Sequence, residues 1–210
     1  MITTYFGSPG CGKTTLAVKM ATKNLSKYDH VTLNFDHIIS GAYVCNLDRL
    51  GEWTFPDNSF IGIDEAGIEF NNRAYKSLPK PAIAWFKKHR HYKADIAIFS
   101  QSWEDMDVTL RRLSDELWYL YRIGPFTLSR KVSKRVTVDK NTEQIIDGYR
   151  MASMLWLLVW PLQCDFHCKY FTLKALLEPK FKLTYRPFYY KYFDSFSKDD
   201  IPVKKHKLIK

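Results

Sequence analysis

The sequence predicts an α/β protein: a mostly parallel sheet with helices on both faces, continued by a β-rich, aromatic extension. Three observations predict it. Short apolar runs alternate with helical stretches from Thr3 to Tyr121, the pattern of strands joined by crossover helices. From Phe126 to Val138 the spacing switches to period two, which reads as added antiparallel strands. Beyond Arg150 the composition shifts to aromatics and lysines without clear periodicity. Residues 1–150 are therefore expected to form one domain and 151–210 an extension.

Thr3–Phe6 reads as a short buried strand ending at a glycine, and Lys13–Leu25 as a helix with apolar positions at Leu16, Val18, Met20 and Ala21. Val31–Phe35 alternates like a second strand. Phe60–Ile63 is a third, and it stops at an acidic pair. After Pro79 and Pro81, Ala82–Lys88 looks helical. Ala94–Ser100 is a fourth strand, Asp107–Leu113 a short helix and Leu117–Tyr121 a fifth strand. Lys and Arg gather on the polar face of the period-two segment.

The length of 210 residues suits one α/β domain with an appendage, and the 46% apolar content supports a buried core. A formal charge of +10 favours an acidic partner, either nucleic acid or an anionic membrane surface. Met1 runs directly into a strand with no leader-like segment, and the four cysteines are scattered. A reducing, cytosolic setting is the expectation.

Gly7-Ser8-Pro9-Gly10-Cys11-Gly12-Lys13-Thr14 fits G-x-x-x-x-G-K-[ST] without mismatch, between an apolar strand and a helix. In such a loop the backbone N–H groups point inward at phosphates, and the helix presents its positive end to the same charge. ATP is the expected ligand, held by Gly7 to Thr15. Lys13 reaches the β- and γ-phosphates, and the Thr14 hydroxyl ligates Mg²⁺. Cys11 contributes backbone and is a candidate for oxidation. Asp64 ends the third strand, where a carboxylate completes the magnesium shell. Glu65 follows and is placed to activate the attacking water. Gln101, at the tip of the fourth strand, suits a sensor of the γ-phosphate. These features predict a P-loop NTPase of the RecA/FtsK-like kind that hydrolyses ATP.

The loop, together with Ile63-Asp-Glu-Ala-Gly67, Arg73, His89-Arg-His91, Asp95-Ile and Ser100-Gln101, resembles the zonular occludens toxin (Zot) family. That family includes the assembly ATPase (gene I product) of filamentous phages and is related to the FtsK/HerA DNA-pumping ATPases. The resemblance covers roughly residues 1–122. It implies an oligomeric ATPase in the host cytoplasm, peripheral to the inner membrane, that drives virion assembly and DNA export. Its implied partners are further copies of itself, phage DNA or a DNA–protein complex, and membrane-associated assembly proteins. It also implies an arginine supplied by a neighbouring subunit; Arg90 is the first candidate, then Arg73, Arg111 and Arg112.

Filamentous-phage relatives carry a membrane-spanning helix after the ATPase domain. Here the strongest apolar run, Met151–Leu162, is shorter than the roughly 20 residues a span needs, and reads as a buried or interfacial segment. A soluble genome-packaging translocase of the same superfamily is the alternative. A non-catalytic scaffold would not require Lys13 and Glu65, and a small-molecule kinase fits poorly with Gln101 and the acidic pair. His89–Lys93, with Arg130, Lys131, Lys134 and Arg135, suits either a DNA path or a solvated face. Cys164, His167 and Cys168 lack the fourth ligand of a zinc site. The aromatic, cationic tail from Lys182 to Phe193 suits base stacking, a membrane interface or packing on protein. Lys204–Lys210 reads as a flexible basic end.

Overall fold

The computed structural model describes residues 1–45, 47, 55–66, 80–104, 106–138, 145–154 and 180–193. In chain order these form β1 (Ile2–Phe6), α1 (Lys13–Asn24), β2 (His30–Leu33), β3 (Ala42–Val44), β4 (Ser59–Ile63), α2 (Lys80–Lys88), β5 (Asp95–Ser100), α3 (Val108–Leu113), β6 (Glu116–Ile123), β7 (Phe126–Val138), β8 (Ile145–Met151), β9 (Phe181–Tyr185) and a 3-10 turn (Pro187–Tyr192). Arg73, Cys164, His167, Cys168, the segment 155–162 of the apolar run and the basic end 204–210 lie outside the described residues.

The described strands form one sheet in the order β3-β2-β4-β5-β1-β6-β7-β8, with β9 also paired to β7. From β3 to β6 every pairing is parallel. β1 lies between β5 and β6, in register with β5 from Ile2↔Ile96 to Phe6↔Ser100. The pleat sends alternate residues to opposite faces, and each face has its own core. On one, Ile2, Ile61, Ile63, Ile96 and Ile98 pack with Ala82, Trp85 and Phe86 of α2 and Leu110 of α3. On the other, Tyr5, Val31, Leu33, Phe60 and Phe99 pack with Leu16, Ala17, Val18 and Ala21 of α1. Helices therefore cover both faces, as the alternating pattern predicts.

β7 begins the antiparallel half. Its residues Phe126–Val132 pair with β6, Phe126–Arg130 with β9, and Val132–Val138 with β8. At Lys131 the N–H donates to the Lys180 carbonyl, and the Lys131 carbonyl accepts from the Ala152 N–H. N–H and C=O of one strand residue point the same way, so β8 and β9 share one edge of β7. The sequence reading missed three strands. β3 is only three residues long, Asp147-Gly148 breaks the apolar sequence pattern of β8, and β9 lies among aromatics and cations that carry no clear period. Lys182 of β9 sits 3.8 Å from the Trp118 ring centroid, over the sheet. Among the described residues no helix is long and apolar enough to cross a membrane.

Candidate nucleotide site

The C-terminal ends of β1, β4 and β5 converge because β5 pairs with β1 on one edge and β4 on the other. The Gly7 N–H donates to the Ser100 carbonyl at 3.3 Å, which brings Gln101 beside the loop. The loop then curls into α1. Gly12 is the residue before the helix, with φ of 98°, and no side chain caps the helix start. A Cβ at Gly12 would lie 2.2 Å from Thr127 Oγ1 and 2.8 Å from Arg186 Cδ, so only glycine fits there. The first turn of α1 carries no acidic residue, leaving its amide groups suited to an anion.

Lys13 is buried, and its Nζ donates to the carbonyls of Gly7 at 2.9 Å and Ser8 at 3.1 Å. The ammonium is thereby kept inside the curve of the loop. Thr14 Oγ1 donates to Asp64 Oδ2 at 2.6 Å, and the Glu65 N–H donates to Asp64 Oδ1 at 2.9 Å. Burial pushes the Asp64 carboxyl above the ordinary carboxylate value, and the Thr14 and Glu65 bonds oppose the shift. Glu65 is exposed, with φ of 52°, an uncommon backbone for a non-glycine residue. A cavity of about 350 Å³ is lined by Pro9, Gly10, Gly12, Lys13, Thr14, Thr15, Asp64, Glu65, Gln101, Arg186, Tyr190 and Phe193. Lys13, Thr14, Asp64, Glu65 and Gln101 thus face one space, while Gly7, Ser8 and Cys11 of the loop do not line it. Cys11 is fully buried beneath the loop, and burial pushes its thiol up, which disfavours the reactive thiolate.

A family model for zonular occludens toxin (Zot) matches residues 22–152. The chain belongs to the Zot family. Among solved structures, this Zot-family chain is similar to the N-terminal domain of zonular occludens toxin from Neisseria meningitidis. The two are 21% identical, covering 74% of this chain and 96% of that one, with a TM-score of 0.51. Genome packaging NTPase B204 from Sulfolobus turreted icosahedral virus 2, in complex with AMPPCP, is 12% identical over 70% of this chain and 95% of that one, at a TM-score of 0.48. Flagellar accessory protein FlaH from Methanocaldococcus jannaschii is 14% identical over 62% and 76%, at 0.45. No curated protein matches the sequence. The fold is that of P-loop NTPases, while the phosphate loop precedes the stretch matched by the family model.

Three features of the site have no counterpart in the motif reading. Asn34, just past β2, donates from Nδ2 to the Asp64 carbonyl at 2.9 Å and accepts at Oδ1 from the Asp64 N–H at 2.7 Å. Thr127 of β7 donates its hydroxyl to the Cys11 carbonyl at 2.6 Å. Arg186, buried, donates from Nη1 to the Gly10 carbonyl at 3.2 Å and from Nη2 to the Gly124 carbonyl. Partners reached through tertiary contacts leave no spacing signal in a sequence.

The described arginine candidates and the His89–Lys93 cluster fall elsewhere. Arg90 is exposed and pairs with Asp115 at 2.7 Å, just before β6. That is the N-terminal end of the parallel strands, opposite the phosphate loop. Lys134 donates to the Ser114 carbonyl at 2.5 Å, one residue before the Asp115 that Arg90 pairs with. His89 itself is buried, with Nδ1 on the Phe86 carbonyl at 2.7 Å. Lys131 pairs with Glu116 at 3.0 Å, and Arg130 donates to the Ala152 carbonyl at 2.7 Å. Arg111 and Arg112 close the last turn of α3.

Proposed function

We propose that this Zot-family chain is a Mg²⁺-dependent ATPase that drives filamentous phage assembly and DNA export at the host inner membrane, working as an oligomer. The observation carrying the reading is the 2.6 Å contact between Thr14 and Asp64, which joins the phosphate loop to the acidic strand end in one cavity with Lys13, Glu65 and Gln101. The family membership and the relation to phage assembly ATPases support the biological role.

The donor pair at Thr14 and Asp64 is oxygen only and includes a buried carboxylate, a set that fits a hard divalent cation. Thr14 and Asp64 would hold Mg²⁺, which supplies charge neutralisation to the β- and γ-phosphate oxygens. Lys13 and the loop amides bind the phosphates. Glu65 orients a water molecule and takes its proton as the water oxygen bonds to the γ-phosphorus. The bond from that phosphorus to ADP then breaks, giving ADP and phosphate. Gln101 contacts the γ-phosphate side of the cavity, and an arginine from the adjoining subunit, Arg90 first, stabilises the developing charge.

ATP hydrolysis measured with Mg²⁺, with and without DNA, tests the reading. Lys13→Ala should abolish both binding and turnover. Glu65→Gln should retain ATP while losing turnover by roughly a hundredfold or more, the usual scale for a general base. Undiminished turnover in Glu65→Gln would remove that residue from the chemistry. Flotation with inner-membrane vesicles and the phage assembly proteins tests the site of action, and a chain left wholly in the soluble fraction would count against export.

A further inference from the structure

We infer that Tyr190 and Phe193 form the seat of the nucleobase, so that the segment after β9 supplies the half of the site that the phosphate loop lacks. The inference rests on the nucleotide-site reading and adds to it a second, aromatic subsite. The loop, Asp64, Glu65 and Gln101 provide groups for phosphates, cation and water, but none offers a flat apolar surface for a ring. Within the same cavity that surface comes from Tyr190 and Phe193.

The end of the turn explains why these two residues face the cavity together. At three residues per turn, side chains three apart share an edge, which sets Pro187 and Tyr190 on one edge of the turn. Phe193 follows it in extended backbone, with φ of −156°, and its largely buried ring meets Tyr190 at the cavity. Tyr189 and Tyr192, on a second edge, pack against the core that includes α1. On the third edge, Lys191 lies 5.3 Å from the Phe188 ring centroid, and both Phe188 and Tyr190 remain well exposed. The rings of Tyr190 and Phe193 have centroids 6.5 Å apart and planes at 75°, an inside corner. A flat heterocycle can stack on one face of such a corner and meet the other ring with its edge.

The corner is held in place relative to the phosphates. Arg186 immediately precedes the turn and donates to the Gly10 carbonyl in the phosphate loop. At the other end the Tyr192 carbonyl accepts from the Ile38 N–H at 2.8 Å, tying the turn to the segment after β2. The distance from base seat to phosphate cradle is therefore fixed by hydrogen bonds at both ends of one short turn.

The test compares two ligands on the full chain by calorimetry with Mg²⁺: ATP, which carries a base, and inorganic tripolyphosphate, which does not. Tyr190→Ala should weaken ATP about tenfold, the scale of losing one stacked base, and leave tripolyphosphate unchanged. Tyr190→Phe should bind both like the wild type. Tyr190 is half-exposed, so its truncation spares the core; Phe193→Leu, which keeps the buried volume, should show the same selective loss. Equal loss of both ligands, or loss of neither, overturns the base seat, while wild-type binding of both ligands upholds the phosphate-site reading. A wild-type chain that binds neither ligand overturns the nucleotide-site reading and the seat with it.

Discussion

Asn34 fixes the strand end that carries Asp64, and it does so without charge. Its amide makes two hydrogen bonds to the Asp64 backbone and so sets the direction in which the carboxylate leaves β4. In Asn34→Ala both backbone groups lose their partners. Urea unfolding should register a loss of about 1–2 kcal/mol, the usual penalty for stranding part-buried polar groups. Turnover should fall in the same variant, because the Thr14–Asp64 contact depends on that direction. Wild-type stability in Asn34→Ala would show that water replaces the amide at no net cost. The sequence discloses Lys13, Thr14 and Asp64 because their spacing is dictated by the phosphate chemistry. It does not disclose Asn34, since an isolated asparagine after a strand is an ordinary turn residue. Nor does it disclose Arg186, because a guanidinium bonded to backbone carbonyls obeys no local pattern.

At the scale of elements, β7 connects the two halves of the sheet and also supports the phosphate loop. Thr127 is paired with Arg122 on β6 and Thr184 on β9, and its hydroxyl reaches the Cys11 carbonyl. Thr127→Val keeps the shape and removes that bond, so stability should drop by about 1 kcal/mol. ATP and tripolyphosphate should weaken together, in contrast to Tyr190→Ala, because the loop itself loosens. Calorimetry with both ligands distinguishes the two variants, and unchanged affinity for both would deny β7 any part in shaping the loop. The parallel strands are legible in the sequence because burial on both faces makes them short apolar runs. The period-two run of β7 is legible for the complementary reason. β9 is not, because its place beside β7 is set by pairing across some fifty intervening residues, with register Phe126↔Tyr185 to Arg130↔Phe181. Within the stretch expected as an extension, Phe181–Tyr185 joins the same sheet, and Arg186, Tyr190 and Phe193 line the same cavity.

Over the whole molecule, the phosphate loop and the Arg90–Asp115 pair occupy opposite ends of the parallel strands. Arg90 can meet a phosphate loop only on another copy, in a head-to-tail contact, and contacts of that kind build rings where the rotation closes and filaments where it does not. Turnover per subunit should then rise with protein concentration, and Arg90→Ala should lose turnover while keeping ATP affinity. Wild-type turnover in Arg90→Ala removes it as the arginine supplied in trans. The long reach between loop and brace also governs the order of events during synthesis. The Arg186–Gly10 hydrogen bond spans 176 residues, so the phosphate loop leaves the ribosome long before the side chain that steadies it. A message broken before the Arg186 codon yields a chain with every ATP-binding signature in its sequence and, of the two supports of its loop, Thr127 alone. Copies that stop short of Arg186 would then be poor consumers of the cell's ATP, and competence would arrive only once that side chain is in place.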